Sequence, residues 1–259
     1  MLRIAALLSC ALLAANTHTK DAPRVAIIID DIGYRAVQDQ RVLALPNEVA
    51  IAVLPYSPNA RRMAMASYEQ QRPVLVHMPM EANNDASNAK ALGPGALTEQ
   101  HSRASVIAAI DAAFDAVPHA RGLNNHMGSR LTRSPDMMRW LMHALACRRD
   151  SYFVDSFTTA ESLGLSMAEE MSIPAIRRHV FLDHVRDPEA LEAAFARLIK
   201  QAHRNGAAVA IGHPFPETLA LLESRLPTLA EHGIELVTPE ELAHASDRDA
   251  EPELVMASW

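Results

Sequence analysis

An apolar run, Val25-Ala-Ile-Ile-Ile29, stops at two adjacent carboxylates, Asp30 and Asp31, and Gly33 follows. Four of its five residues are β-branched, the composition of a strand buried on both faces in a parallel sheet. Carboxylates at the end of such a strand are costly unless they find donors, a cation or a proton. A single Asp there reads as the cap of the next helix, with Gly33 taking the turn. A pair asks for complementary groups from elsewhere in the chain.

The same punctuation recurs. Val49–Leu54 is an apolar strand closed by Pro55. Pro73–Glu81 is a strand carrying His77 near its end, and Arg121–Ser129 ends in Asn124, Asn125 and His126. Tyr152–Ser156 ends at Asp155. Ile173–Leu182 contains a strand with Arg177, Arg178 and His179 and stops at Asp183-His184. Ala207–Pro214 ends at His213, and Ile234–Val237 is a last strand. Helices are expected between them: Arg35–Leu45, a segment opened by Ser57-Pro58 that carries Met63, Met65 and Tyr68, Ser105–Val117, a helix from Ser134-Pro135, Thr159–Met171, Asp187 to His203 with an Asn205-Gly206 stop, and Pro216–His232. Glu81–Thr98 is a long loop of the kind that forms lids or binding loops.

About eight alternations of strand and helix define a parallel α/β architecture. Asp30, Asp31, His77, Asn125, His126, Asp155, Asp183 and His213 all fall at the carboxyl ends of strands. In a (β/α) barrel these ends converge on one face, where catalytic groups sit, whereas an open sheet spreads them along an edge. The expected fold is therefore an irregular (β/α) barrel of about seven or eight parallel strands. It occupies residues 21–245 and is followed by a flexible tail over 246–259.

The first residues differ in kind. Arg3 precedes a short apolar run ending in small residues, and a polar stretch begins at Asn16. This is a secretory signal peptide over residues 1–20, cleaved near Ala15, which places the protein in the periplasm or outside the cell. The run is short for a permanent span, so no stable membrane span is expected after cleavage. A lipoprotein signal at Cys10 and an uncleaved anchor are the minority readings. Removal of the leader leaves Cys147 alone, so no intrachain disulfide supports the mature fold. A net charge of −7 argues against nucleic acid as a partner.

Carboxylates and imidazoles meeting in a concave site are the ligand set of zinc and related divalent ions. For any one histidine, a hydrogen-bonded structural role is the simpler reading. For the set, a metal-linked site is the better one, with a further carboxylate and imidazole left over as base and acid.

Asp30-Asp31 after its β-branched strand, His77-Met-Pro-Met-Glu81, Asn124-Asn-His-Met-Gly-Ser129, Phe153-Val-Asp-Ser156 and Ile211-Gly-His-Pro214 together resemble the divergent polysaccharide deacetylases. The resemblance runs from about Arg24 to Leu242, with the motifs in order. It implies a barrel similar to that of carbohydrate esterase family four and a hydrolase that removes N-acetyl groups from a glycan, with water on a divalent metal, zinc in the first instance, as nucleophile. It further implies Asp30 as general base, Asp31 as metal ligand, His213 as general acid, and Asp155 and Asp183 as orienting partners. His126 would be a second ligand. Four residues on, where the main family has another histidine, this chain has Arg130, which cannot ligate; His77 is the candidate third ligand. Asn125, Glu81 and Arg178 are expected to contact an N-acetylated glycan substrate. The alternative is a catalytically degenerate barrel that binds glycan or an envelope partner without turnover. A phosphate-ester hydrolase is weaker, because no glycine-rich phosphate loop is present.

Overall fold

The computed structural model describes residues 22–83 and 92–250. The expected signal peptide, the middle of the 81–98 loop and residues 251–259 lie outside them. Nine strands form one parallel sheet: β1 (Arg24–Ile32), β2 (Ala50–Val53), β3 (Val74–Met80), β4 (Gly122–Met127), β5 (Tyr152–Asp155), β6 (Ala175–Arg177), β7 (Val180–Phe181), β8 (Ala207–Gly212) and β9 (Glu235–Leu236). Their order is β6-β5-β4-β3-β2-β1-β8-β7, and β9 adds to the start of β1.

The two ends of that order, β6 and β7, are consecutive in the chain. The Arg178 N–H still bonds the Asp155 carbonyl, and the next N–H, of His179, bonds the Val209 carbonyl. Within two residues the backbone leaves β5 and joins β8, so the curled sheet is drawn into a barrel along one seam. The strand expected over Ile173–Leu182 is thus split in two. The His179 ring helps to sew the seam, its Nδ1 accepting from the Val209 N–H at 3.0 Å.

Strand periodicity sorts the side chains into two layers. Ala26, Ile28, Ala50, Ala52, Leu75, Tyr152, Val154, Ile176, Val209 and Ile211 face inward and form the barrel core. Their neighbours Val25, Ile27, Ile29, Val76, Leu123 and Phe153 face outward and pack with the helix layer. The helices are α1 (Ala36–Val42), α2 (Ala60–Glu69), α3 (Arg103–Ala116), α4 (Pro135–Ala146), α5 (Gly164–Glu170), α6 (Pro188–Asn205), α7 (Pro216–Arg225) and α8 (Pro239–Ala250). Leu242 and Ala243 of α8 join the inner core and close the barrel from below.

Local chemistry sets the boundaries. Asp187 caps α6 by accepting from the Glu189 and Ala190 N–H groups, and Gly206 ends it in the left-handed region at φ 80°. α2 begins at Ala60 because the Ser57 hydroxyl donates back to the Leu54 carbonyl instead of capping. α5 is shorter than the expected Thr159–Met171: the Leu163 N–H bonds the Thr132 carbonyl and the Ser162 hydroxyl bonds Asp155, which holds the preceding turn out of the helix. The helix expected over Pro216–His232 tightens into a 3₁₀ turn at Leu226, where Pro227 follows. The last helix continues to Ala250, past the expected start of the tail. No helix among the described residues is long and apolar enough to cross a membrane.

Candidate metal centre and active site

The pair Asp30-Asp31 poses a geometric problem, since consecutive strand residues point to opposite faces. β1 solves it with a bulge. Its register against β2 shifts between Ile29 and Ile32, and Asp31 takes a left-handed φ of 58°. Asp30 continues the inward column of Ala26 and Ile28, and the bulge turns Asp31 to the same side. Gly33 then turns the chain away at φ 122°, where a Cβ would lie 1.8 Å from the Ser57 hydroxyl oxygen. Inward periodicity also brings His77 from β3, Asn124 and His126 from β4, and His213 from the end of β8 to the upper mouth.

Asp31, His77 and His126 form the one group among the described residues placed to hold a metal ion. Asp31 Oδ1 lies 3.0 Å from His126 Nδ1 and 3.3 Å from His77 Nε2, and the two nitrogens are 3.1 Å apart. The Asp31 oxygen is buried and has no hydrogen-bond partner. The tautomer of His77 is fixed from behind. Asn124 gives its amide N–H to Asp30 Oδ1 at 2.8 Å, so its carbonyl oxygen faces His77 Nδ1, also at 2.8 Å, and accepts from it. Nε2 is therefore the atom turned to Asp31 and His126, and it needs a proton or a cation. Atoms bound about 2.0–2.1 Å from a tetrahedral zinc are roughly 3.3 Å apart, close to the spacings found. Two imidazole nitrogens and one buried carboxylate oxygen at this spacing fit a divalent ion.

Electrostatics agree. Burial pushes the His77 ring toward neutrality, but Asp30 and Asp31 override it and raise its pKa to about 9. Burial pushes Asp31 up, yet His126 and His77 bring it well below the usual carboxylate range. Asp30, 4% exposed, is raised by burial against the opposing pull of His77 and His213. Its Oδ2 is 3.6 Å from His77 Nε2.

On the other side, His213 is locked by Asp183. Its backbone N–H and its Nδ1 donate to the two carboxylate oxygens at 2.6 and 2.9 Å, and the Thr218 hydroxyl adds a third bond at 2.8 Å. His213 Nε2 is left facing Asp31 Oδ2 at 3.8 Å. Burial lowers the His213 pKa, but the hydrogen bond to Asp183 and the charge of Asp30 leave it raised.

Four of the residues expected at the site are not in this cluster. Asp155 does not orient His213: it shares the outward direction of Phe153, and its oxygens accept from the Phe157 N–H and the Ser162 hydroxyl. Asn125 also faces outward, bonding the Ser156 N–H and the Met127 carbonyl. Glu81 anchors the returning loop through the Glu99 N–H and Arg130. Arg178, half-buried at the inner rim, donates to the Ser156 and Phe157 carbonyls, both at 2.7 Å. Arg130 is drawn into an ion pair with Glu99 at 2.8 Å. Two residues not anticipated do enter: Asn124, and Ser156, whose hydroxyl accepts from Asn124 at 3.3 Å. A small pocket of about 150 Å³ opens beside His126, walled by Tyr34, Leu54, Tyr56, Pro79 and Leu92.

A curled parallel sheet with acidic and imidazole groups at its upper mouth defines a deacetylase-type (β/α) barrel. The family model of the divergent polysaccharide deacetylases matches residues 27–243, and the chain belongs to that family. It is 36% identical over 214 residues to an uncharacterized protein of Haemophilus influenzae, covering 83% of this chain and 74% of that one. It is 36% identical over 222 residues to the uncharacterized protein YibQ of Escherichia coli K12, covering 86% and 68%. Among solved structures, an uncharacterized Agrobacterium tumefaciens C58 protein superposes with a TM-score of 0.81 at 22% identity, over 86% of this chain and 89% of that one. A Bacillus anthracis protein described as a family-four carbohydrate esterase pseudoenzyme gives 0.52 at 12% identity, over 86% and 66%. Both share the fold.

Proposed function

We propose that the protein is an exported, zinc-dependent amidohydrolase that removes N-acetyl groups from a glycan. The observation that carries this reading is the convergence of Asp31 Oδ1, His77 Nε2 and His126 Nδ1 within 3.0–3.3 Å of one another, flanked by a second carboxylate and an anchored imidazole. A divalent ion held by those three side chains supplies Lewis acidity toward the acyl carbonyl and makes water more acidic. The chain supplies the proton traffic. Asp30, beside the ligand cluster and raised by burial, takes a proton from the attacking water more readily at neutral pH than an exposed aspartate would. Asn124 holds Asp30 in place through the same amide that sets the His77 tautomer. His213, kept protonated to higher pH by Asp183, gives its Nε2 proton to the departing amine. The hydrophobic pocket beside His126 shelters the acyl group, and the exposed rings of Tyr34 and Tyr56 offer apolar surface for a sugar. The N-terminal leader motif supports a periplasmic or secreted location.

The test combines metal content with turnover. The purified chain is expected to carry about one zinc and to release acetate from N-acetylglucosamine oligomers. Asp31→Ala is expected to lose the metal, and Asp30→Asn to keep it while losing at least about 100-fold in kcat. Stoichiometric zinc without acetate release would sink the hydrolase and favour a binding-only barrel. No bound zinc in protein purified without chelator would sink both the metal centre and the reaction.

A further inference from the structure

Arginine and phenylalanine side chains are paired around the mouth in a way the reaction itself does not require. Phe215 has two guanidiniums over its ring, Arg35 at 4.7 Å and Arg186 at 4.6 Å from the centroid. Arg178 stands over Phe181 at 5.0 Å and Arg177 over Phe157 at 4.8 Å. These are four of the five such contacts among the described residues. The ring of His213 is 5.5 Å from Phe215 and 5.3 Å from Phe181. Arg35, Arg186 and Arg178 are each one aromatic ring away from His213.

We propose that this rim recognises negative charge on the substrate: the glycan bears carboxylate or phosphate groups next to the N-acyl sugar, and Arg35 and Arg186 grip them. The inference rests on the deacetylase reading for the chemistry at the centre. Arg35, Arg177, Arg178 and Arg186 make no ion pair with a carboxylate among the described residues, whereas Arg41, Arg121, Arg148 and Arg225, away from the mouth, each do. Arg35 and Arg186 are exposed; the charge of Arg35 also acts on the buried Asp39, but its guanidinium is not held in an ion pair there. A guanidinium lying on a ring keeps its N–H edge available for an oxyanion and has already lost part of its rotamer freedom. The chain as a whole is acidic at −7, so an anionic polymer is attracted only where positive charge is concentrated.

Binding is measured by calorimetry on the full, zinc-loaded chain, with Asp30→Asn used to prevent turnover and wild type run in parallel. The probes are the tetramer of N-acetylglucosamine, the tetrasaccharide alternating N-acetylglucosamine with N-acetylmuramic acid, the latter with its carboxylates reduced, and a phosphorylated N-acetylglucosamine oligomer. The lactyl-bearing tetrasaccharide is expected to bind about tenfold more tightly than its carboxyl-reduced form. The Arg35→Ala/Arg186→Ala double variant is expected to remove that preference, and salt at about 1 M to weaken it. The phosphorylated probe separates the two anions: binding tighter than the lactyl form makes phosphate the charge the rim reads, and weaker binding makes it carboxylate. Equal affinity for charged and reduced glycans, or equal losses for both in the double variant, overturns the rim proposal and leaves the deacetylase reading standing. Zinc-loaded protein that binds none of the probes overturns both.

Discussion

Asn124 is fully buried and touches three residues of the site, joining the orientation of His77 to the placement of Asp30. Asn124→Ala is expected to weaken zinc binding about 10–100-fold in chelator competition, because the His77 tautomer is no longer fixed. It also leaves Asp30 buried without its amide donor, at a cost of about 1–3 kcal/mol in denaturant unfolding. Asp183 acts on His213 in a parallel way. Since it raises the His213 pKa, Asp183→Asn lowers that pKa, so the imidazolium is lost at lower pH. The alkaline limb of kcat/KM is then expected to move to lower pH, which a pH–rate profile reads directly. Most of the site was legible in the sequence: Asp30, Asp31, His77, His126, Asp183 and His213 were marked by their places at strand ends. Asp155 and Asn125 carried the same mark and face the other way. Parity along the strand separates them from Val154 and Asn124, and residue type alone does not.

The element on which the site depends is the end of β1, where a bulge and a left-handed Asp31 point two neighbouring carboxylates into one mouth. No composition rule announces a bulge, so the sequence marked both aspartates without explaining how both reach the cluster. Gly33 completes the bend against Ser57. Gly33→Ala places a methyl group on the Ser57 hydroxyl and forces a positive φ on alanine. The expected loss is about 2–3 kcal/mol, seen as a lower denaturant midpoint. Ser57→Gly in the same chain should recover the steric part and leave the backbone part. Helix ends were readable where caps are local, as at Asp187 and Gly206. They were misread at Ser57, whose hydroxyl turns back to the Leu54 carbonyl, and at Thr159, where the Leu163 N–H and the Ser162 hydroxyl bond the Thr132 carbonyl and the Asp155 carboxylate instead.

At the scale of the molecule, a barrel was legible from the convergence of polar strand ends, but its closure was not. The Ile173–Leu182 segment reads as one strand, and only the fold shows it crossing from β5 to β8. His179 is exposed over much of its surface, yet the partial desolvation of its ring, followed by the charges of Arg177 and Arg178, holds its pKa below 6.5. Its Nδ1 accepts a backbone N–H, so the neutral ring is the form the native state binds. The stabilisation it gives is present above pH 6.5 and is lost as pH falls from there toward the depressed native value. His179→Asn, which keeps an acceptor but cannot titrate, is expected to flatten stability against pH on that acid side, as followed by denaturant midpoints. The two-residue crossing has a wider consequence. Beyond it the chain runs straight into Asp183, which anchors His213, and Arg178 within it braces the loop after β5. The cylinder is thus hinged beside His213, and a brief opening there would displace that imidazole while the remaining strands stayed paired. Inactivation on gentle warming should come before any loss of helix or strand.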